Sequence, residues 1–510
     1  MTAGVRTRAA RRRAQRPPAC LSSPEIDLYF SDYFRAPERA LARHGAFNVS
    51  LVADLPLFID PFLLFNSRKR AYRKLHDEII KYLKFLRDKA SGSSVPAALL
   101  RRWYAFPEIK QNWMGFAREG NRGSGLGKGF AGALHTNLTK LFGDFGAEKV
   151  TRGSHLEKLC LISDRVGRDK ISDFTTNLIH GYLLEYTQTL TRRCVPIRQR
   201  RRFAVDRVRF NYRTESWERR VFTLPNYRGD YVLLTPVDLL TKDDTWINRT
   251  DLVEEFEKIP DAIPNDVLRQ QVSNYFLKRL PKEPIHKDRQ RAAIETIRQF
   301  PQIIDYYIRY KEDRGEQARR LSQQKVDFSR QLYVEQFGQL ARQLASETAF
   351  YRLSGDTYAE TLQRAHFLKD VIENKGGHRL FYVRGRPIER EEDIQILYRL
   401  TWFASPSDVS REVNDGRGPA DFKVSRGGAD KTLVEFKLAS NTHLRRNLQN
   451  QLPIYQRASD AKKAVKVIIY FSEGQLRQVT RVLRDLRLDG ERSIVLIDAR
   501  ADNKPSGSRA

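Results

Sequence analysis

The sequence is poor in cysteine, and it lacks a long uninterrupted apolar run. Its three cysteines, Cys20, Cys160 and Cys194, are widely separated and form no CxxC pair, which argues against a disulfide framework or a structural zinc site. The most apolar window, residues 51–65, contains two aspartates and two prolines and is shorter than the ~20 residues that a membrane-spanning helix needs. The arginine-rich start, residues 6–16, is followed by no apolar segment, which argues against a secretory signal. We therefore expect a cytoplasmic protein without a membrane partner.

Acidic residues are also few relative to basic ones. Lys and Arg number 91 against 62 Asp and Glu, so the formal net charge is +29. Hydrophobic residues make up 40% and aromatic residues 11%, which is enough to form cores and excludes a largely disordered chain. With 510 residues and roughly 100 to 200 residues per domain, we expect two or three domains. The charge predicts an acidic partner, and nucleic acid is the first candidate.

Composition and periodicity divide the chain into five segments. The first 23 residues carry arginines, prolines and no acid, while later segments show helical and alternating apolar patterns. The predicted segments are a disordered basic arm (1–23), an α+β recognition or sensor region (24–284), a helical connector (285–375), a C-terminal α/β unit (376–500) and a disordered tail (501–510).

Outside the N-terminal arm, the densest positive stretch lies in the predicted recognition region, between residues 191 and 213, where Asp206 is the single acid. Its later half alternates apolar and charged residues, which predicts a strand with a basic face. Arginine binds phosphate bidentately, so these side chains suit a nucleic-acid backbone, although a solvated surface is the simpler alternative. The predicted contacts are Arg192, Arg193, Arg198, Arg200, Arg201 and Arg202.

Two predicted strands near the C terminus carry acidic residues on matching faces. Period-two alternation places Glu435 and Lys437 on one face of the second strand. A hairpin centred on Gly428 sets Asp421 opposite Glu435, with Cβ atoms roughly 4.5 to 5.5 Å apart. Two carboxylates that close repel each other unless a cation lies between them, and such hard oxygen ligands suit Mg²⁺ or Mn²⁺. We therefore predict a metal site, with Lys437 near enough to reach a water or a phosphate.

These motifs resemble a known superfamily. Pro419-Ala420-Asp421 followed by Glu435-Phe436-Lys437 is similar to the PD-(D/E)xK, or restriction-endonuclease-like, nucleases over roughly the last quarter of the chain. The resemblance implies a central mixed sheet flanked by helices and metal-dependent cleavage of phosphodiester bonds, in DNA more often than in RNA. It also implies that Asp421, Glu435 and the Phe436 carbonyl hold the ion, while Lys437 positions or activates water.

The resemblance extends to a glutamate on the helix before the sheet. Such a residue often completes the site in this superfamily. Glu391 and Glu392 both lie on the predicted helix, and Glu412 on the adjoining strand is a third candidate. The sequence does not choose among the three.

Some branches of the superfamily add a Gln-x-x-x-Tyr pair on the following helix. Gln451 and Tyr455 have this spacing and are candidates for a catalytic role and a nucleic-acid contact. Pro453 lies between them and would interrupt a regular helix. Arg417, close before the first motif, is a further candidate contact to nucleic acid.

The functional hypothesis is a metal-dependent nuclease, which the resemblance would place in restriction or antiphage defence. The alternative is a non-catalytic basic nucleic-acid-binding scaffold with a nuclease-like docking domain. Under a purely structural interpretation, Lys423 and Lys437 neutralise Asp421 and Glu435 as exposed ion pairs worth under ~1 kcal/mol each. Strand preference, endonuclease or exonuclease character, oligomeric state and any protein or phage-derived trigger stay open.

Overall fold

A computed structural model describes most of the chain. The described residues are 26–91, 96–115, 134–135, 147–162, 167–351, 355–402, 407–410, 422–426, 430–449 and 463–504. The predicted basic arm, 1–23, lies outside them. The predicted disordered tail, 501–510, is described up to residue 504, and Asn503 donates a hydrogen bond of 2.7 Å to Asp498.

The N-terminal part mixes helices with short antiparallel sheets. Its helices are α1 (Phe30–Phe34), α2 (Glu38–His44), α3 (Pro61–Phe65), α4 (Arg70–Ala90), α5 (Ala97–Tyr104), α6 (Lys158–Ile162), α7 (Arg168–Leu178) and α8 (His180–Cys194). Its strands are β1 (Leu57–Ile59), β2 (Arg200–Asn211), β3 (Ser216–Tyr227), β4 (Asp230–Tyr231) and β5 (Leu240–Lys242). The strands form an antiparallel sheet in the order β2-β3-β4 and a separate antiparallel pair of β1 with β5.

Helix α4 shows how sequence pattern becomes packing in this part. Tyr72, Ile79, Leu83 and Leu86 recur at helical spacing, and all four are buried in the main core. Lysines and arginines occupy the positions between them. Burying one apolar stripe therefore fixes which side of the helix faces the core.

Helices make up the middle of the chain, as the sequence predicts for 285–375. They are α9 (Arg249–Glu254), α10 (Asp266–Lys278), α11 (His286–Gln299), α12 (Ile303–Glu312), α13 (Gly315–Ser329), α14 (Phe337–Glu347) and α15 (Thr357–Asn374), with a π-helical turn at Arg330–Gln336. Helix α15 packs on the C-terminal sheet rather than on the other connector helices alone. Its Lys369 donates a hydrogen bond of 2.5 Å to the carbonyl of Leu496 in the last strand. Structurally, α15 is thus a layer of the C-terminal unit.

The C-terminal unit contains a mixed sheet, as predicted, and the sheet has five strands. A short hairpin of β6 (Tyr382–Val383) and β7 (Arg386–Pro387) precedes helix α16 (Glu391–Thr401). The sheet then follows as β8 (Asp408–Ser410), β9 (Phe422–Arg426), β10 (Asp430–Leu438), β11 (Lys463–Tyr470) and β12 (Ile494–Asp498), with helix α17 (Glu473–Asp485) before the last strand. The strand order is β12-β11-β10-β9-β8, in which β8, β9 and β10 are antiparallel and β10, β11 and β12 are parallel.

Helices cover both faces of this sheet. On one face the ring of Tyr398, from α16, lies 4.8 Å from the ring of Phe422 and 4.4 Å from that of Phe436. On the other face Ile468 packs in a second core with Val479 of α17 and with the short helix at 444–449. The predicted arrangement of a mixed sheet between helices is confirmed. The 3-10 turn Gly377–Phe381 precedes β6.

Polar contacts at its first turn join α16 to the N-terminal part. The buried carboxylate of Asp393 accepts a hydrogen bond of 2.6 Å from the Tyr333 hydroxyl and lies 3.4 Å from Lys242 Nζ at the end of β5. Arg390 pairs with Asp243, the residue after β5. Helix α16 therefore contacts the N-terminal part and the C-terminal sheet at the same time. No helix in the described ranges has both the length and the apolar character needed to cross a membrane.

Two carboxylates of the N-terminal part, Asp54 and Asp173, have raised pKa values. Burial raises the pKa of Asp173 in α7 to about 8, and the neighbouring charges of Asp169 and Glu108 add to the rise. The same causes raise the pKa of Asp54, while Arg399 of α16 acts in the opposite direction. Asp173 is therefore largely protonated at neutral pH in the folded chain, whereas an unfolded chain ionises it near its ordinary value of 3.8.

We expect the variant Asp173→Asn to be more stable than the wild type at pH 8. The folded chain holds the Asp173 proton more tightly than the unfolded chain, so the residue lowers stability progressively as pH rises from about 4 to about 8. The asparagine variant lacks this penalty, so its gain in Tm should be larger at pH 8 than at pH 5. Asp489→Asn, at an exposed aspartate, is the control and should leave Tm unchanged at both pH 5 and pH 8. Equal Tm differences at the two pH values would contradict the assignment.

Candidate active site

The hairpin of β9 and β10 has the register that the sequence predicts. Asp430 lies opposite Arg426, Thr432 opposite Val424, and Val434 opposite Phe422, so the midpoint of this pairing falls at position 428. Continuing this register by one residue would pair Glu435 with Asp421. Asp421 lies outside the described residues, so its position opposite Glu435 stays a prediction.

Glu435 lies on β10 and contacts two lysines. Its side chain is 7% exposed, and its Oε1 lies 3.3 Å from Lys437 Nζ. Its Oε2 lies 3.6 Å from Lys466 Nζ, and Lys466 is the parallel partner of Glu435 on β11. The two cations therefore approach one buried carboxylate from its own strand and from the next one.

Lys437 connects Glu435 with Glu391, the first residue of α16. Lys437 Nζ lies 3.2 Å from Glu391 Oε2. The other oxygen of Glu391 accepts hydrogen bonds from the Leu438 amide at 3.4 Å and from Asn441 Nδ2 at 2.6 Å, which holds the carboxylate at the C-terminal end of β10. Of the three glutamates that the sequence left open, the structure brings Glu391 to Lys437.

The other two glutamates are not at this cluster. Glu392 is exposed on the first turn of α16. Glu412 lies outside the described residues. Among the three candidate glutamates, Glu391 is thus the one whose position supports a role beside Glu435 and Lys437.

The cluster is buried, contrary to the interpretation of an exposed ion network. Glu435, Lys437 and Lys466 are each less than 10% exposed. Farther along the same face of the sheet, Ile468 and Tyr470 pack against α17 and the 444–449 helix. Burial lowers the pKa of Lys466, and the Glu435 carboxylate acts in the opposite direction. Buried ion pairs of this kind are costly to break because the remaining charge is left without a partner.

The donor set suits a hard divalent cation only if a third carboxylate joins it. Glu391 and Glu435 supply carboxylate oxygens, and the buried Glu435 Oε1 accepts no hydrogen bond within the described chain. Two lysines already balance these two acids. Among the described residues, no group of three or more His, Cys, Asp or Glu could hold a metal ion. Asp421 is therefore the residue on which a Mg²⁺ or Mn²⁺ site depends.

The remaining candidates at this site divide between the core and the undescribed segments. Phe436 is fully buried against Tyr398, and the role of its carbonyl as a metal ligand stays a prediction. Gln451, Tyr455 and Arg417 lie outside the described residues. Nothing in the described part of the chain therefore tests those three assignments.

A buried polar network fixes the hairpin that carries Glu435. Glu360 of α15 accepts hydrogen bonds of 2.6 Å from Arg426 Nη2 and from the Ser407 hydroxyl. Asp430, opposite Arg426, accepts hydrogen bonds from the amide and the hydroxyl of Thr357 at 2.9 and 2.7 Å. Both strands of the hairpin are thus tied to the first turn of α15, which restricts slippage of the register.

The predicted basic surface is mostly exposed. Arg192 and Arg193 lie in the last turn of α8, Arg198 in the following 3-10 turn, and Arg201 and Arg202 in β2, and all five are exposed. Arg200 is the exception, because it is half-buried and its Nε donates a hydrogen bond of 2.5 Å to the Val195 carbonyl. Arg200 therefore anchors the start of the hairpin β2–β3 through its Nε, and its contact with nucleic acid stays a prediction.

Arg207 lies at a β-bulge in β2 and is not part of the exposed basic surface. The register of β2 and β3 shifts between Val205 and Arg209, and Arg207 has a positive φ of 56°. Its guanidinium lies 4.8 Å from the Trp217 ring, where burial lowers its pKa. The bulge thus turns one arginine of the run into the core, which alternation alone does not predict.

Sequence reasoning missed Lys466 and Asn441. Lys466 is the one charged residue between Ala464 and Tyr470 in a strand that is otherwise apolar over that stretch. A lysine in the middle of a buried parallel strand is itself a signal, because such a charge needs a partner on a neighbouring strand. Asn441 gives no comparable signal, since it lies in the turn after β10.

Two family models match separate parts of the chain. One, a domain of unknown function (DUF8370), covers residues 37–248, and the other, a domain of unknown function (DUF8371), covers residues 357–473. No curated protein and no solved structure matches the chain. The second match begins at the first residue of α15 and includes Glu391, Glu435 and Lys437, in agreement with the packing of α15 on the sheet.

We expect the variant Lys466→Met to lower the free energy of unfolding by about 3 kcal/mol, because it removes one of two cations from a buried carboxylate. Lys463→Met is the matched control, since it makes the same change on the same strand at an exposed pair with Asp356 and should have little effect. Urea unfolding followed by circular dichroism measures both. Equal effects of the two substitutions would show that the Glu435 contact does not stabilise the fold.

Proposed function

We propose that the protein is a metal-dependent nuclease whose C-terminal unit has a restriction-endonuclease-like fold. The observation that carries the proposal is the meeting of Glu391, Glu435 and Lys437 at one end of β10. The three come from a helix and from an ExK strand whose hairpin register leads to Asp421. The mixed sheet between two helical layers supports the proposed fold.

The proposed site would use Mg²⁺ or Mn²⁺. Asp421 and Glu435 would hold the ion, with the carbonyl of Phe436, and Glu391 would hold it or a water bound to it. When bound, such an ion neutralises charge on the scissile phosphate and lowers the pKa of an attacking water.

The lysine and the first residue of α16 have distinct parts in the proposed reaction. Lys437 would donate hydrogen bonds to the attacking water or to a phosphate oxygen, and so orient the nucleophile and stabilise the negative charge that develops. Its contact with both Glu391 and Glu435 keeps the ammonium near the reacting phosphate. Glu391 in turn is oriented by the Leu438 amide and Asn441.

The proposed substrate is nucleic acid, with DNA preferred by the resemblance to the superfamily. Five exposed arginines surround the start of the hairpin β2–β3, and the chain carries a net charge of +29. Their proposed contacts are to the phosphate backbone, which position a substrate without selecting its sequence. A role in restriction or antiphage defence inside the cell fits this activity and is part of the same proposal.

One observation favours the second candidate, a non-catalytic nucleic-acid-binding scaffold. Lys437 and Lys466 already balance the charges of Glu391 and Glu435, so the charge balance of the described cluster requires no metal ion. The two candidates differ in a simple property. A nuclease should bind Mn²⁺ through Asp421, and a scaffold should not.

We expect purified protein to cleave plasmid or linear DNA in Mg²⁺ or Mn²⁺ and to lose cleavage in EDTA. Asp421→Asn, Glu435→Gln and Lys437→Met should each lower the rate by about a hundredfold or more, because each removes a ligand or a charge needed at the reacting phosphate. Glu392→Gln, an exposed neighbour of Glu391, is the control and should retain activity. Single-stranded DNA and RNA in parallel reactions determine the substrate class.

Circular dichroism of each variant separates loss of chemistry from loss of fold, which matters because Glu435 and Lys437 are buried. Cleavage by folded Asp421→Asn at the wild-type rate would reject the assignment of the site. Absence of cleavage by wild type, together with absence of Mn²⁺ binding in calorimetry, would favour the scaffold.

Binding to DNA should weaken steeply with salt, and the slope should depend on the arginines of β2. For the double variant Arg201→Ala and Arg202→Ala, the slope of log K against log salt should fall by about 2, because roughly one counterion is released per phosphate contact. The control is Arg477→Ala with Arg481→Ala, two exposed arginines on α17. Fluorescence anisotropy in EDTA measures the slopes. A slope unchanged in the β2 variant would exclude this surface from the interface.

A further inference from the structure

A cavity lies where the N-terminal part, the middle helices and the C-terminal unit meet. Its volume is about 620 Å³, which is within the range of small-molecule sites. The end of β5, helix α13, the hairpin β6–β7 and the first turn of α16 each contribute part of its wall. No function proposed above uses this cavity.

The cavity carries a surplus of positive charge. Five basic residues line it, namely Lys242, Lys325, Arg384, Arg386 and Arg390, against the three acids Asp243, Glu389 and Asp393. Two of the acids are already paired, because Arg390 contacts Asp243 and Lys242 contacts Asp393. Arg384 and Arg386 are exposed and form no ion pair with a carboxylate in the described part of the chain. The wall therefore offers two guanidinium groups suited to a phosphate.

The same cavity has an apolar wall. Leu321 and Phe328 of α13, Pro387 of β7 and the adjoining Ile388 all line it. Lys242 Nζ lies 4.6 Å from the centre of the Phe328 ring, so this aromatic side chain is already part of a cation-π contact. A ligand that has both a planar ring and phosphate groups matches the two kinds of wall.

Arg384 and Arg386 lie at the turn between β6 and β7. Arg384 and Gly385 join β6 to β7 as a two-residue turn, and both have a positive φ, of 53° and 76°. Such a turn matches the twist of a hairpin, but a non-glycine residue adopts the left-handed conformation at an energetic cost. Arg384, the non-glycine residue in this conformation, lines the cavity.

Helix α16 connects the cavity with the candidate active site. Arg390 and Asp393 line the cavity, and Glu391 between them contacts Lys437. We propose that the cavity binds a free mononucleotide and that its occupancy changes the position of Glu391. The binding does not depend on the proposed nuclease activity, whereas its effect on cleavage does.

The test is isothermal titration calorimetry on the full chain in EDTA with ATP, GTP, CTP and UTP. Adenosine and inorganic triphosphate serve as ring-only and phosphate-only probes. We expect at least one nucleotide to bind about tenfold or more tightly than either probe, because only the nucleotide contacts both walls. Arg386→Ala should weaken its binding by about tenfold, since one charge-assisted contact is lost. Arg487→Ala, at an exposed arginine in the described chain, is the control.

Three results would overturn the proposal. They are the absence of nucleotide binding at millimolar concentration, equal affinity for triphosphate and nucleotide, and equal affinity of Arg386→Ala and wild type. A single-stranded DNA 12-mer that binds in place of every mononucleotide, and is weakened by Arg386→Ala, would also overturn it, because the cavity would then hold the substrate strand. Phe328→Ala gives a further check, since it should weaken the nucleotide but not triphosphate.

Hydrogen exchange at the Leu438 amide, which donates to Glu391, reports the coupling without any cleavage assay. A change in its rate on nucleotide binding supports the link to α16, and an unchanged rate in the bound protein would overturn it. Loss of cleavage in Asp421→Asn leaves this readout intact, so failure of the nuclease proposal and failure of the nucleotide proposal are distinguishable.

Discussion

The ammonium of Lys437, shared between Glu435 and Glu391, is the interaction on which the arrangement of the site depends. It joins a central strand to a helix that also contacts the N-terminal part through Lys242 and Asp243. Because the group is buried, removing either carboxylate leaves a charge in a poorly solvated place. The side chain of Lys437 therefore contributes both to the stability of the fold and to the geometry proposed for catalysis. It does so at the helix that also contacts the N-terminal part.

The parts of the site that depend on local pattern could be predicted from the sequence. Alternation places Glu435 beside Lys437, and the glycines around 428 centre the hairpin, so both were accessible without a structure. Lys466 was not, because its pairing depends on a parallel crossover that brings β11 beside β10. The choice of Glu391 also required the structure, since adjacent residues on a helix point in different directions.

Some features of the elements depend on tertiary contacts, which the local sequence pattern does not show. Helix α16 begins only at Glu391, because Pro387 lies in β7 and pairs with Tyr382. The 285–375 segment is helical as predicted, but α15 packs on the sheet, where Glu360 and Thr357 bind Arg426 and Asp430. In β2, alternation predicted the basic face correctly and missed the bulge that buries Arg207. Each difference arises from a partner that is distant in sequence.

The placement of α16 also limits how the chain can be divided. A fragment beginning at residue 357 keeps the whole sheet and the ExK strand, yet it lacks Lys242 and Tyr333, the partners of the buried Asp393. That carboxylate would then face solvent or an unpaired interior at the helix that positions Glu391. The C-terminal unit is therefore poorly suited to expression as a separate domain. Fusion proteins that carry the proposed catalytic residues should also contain β5 and the middle helices up to the turn that carries Tyr333.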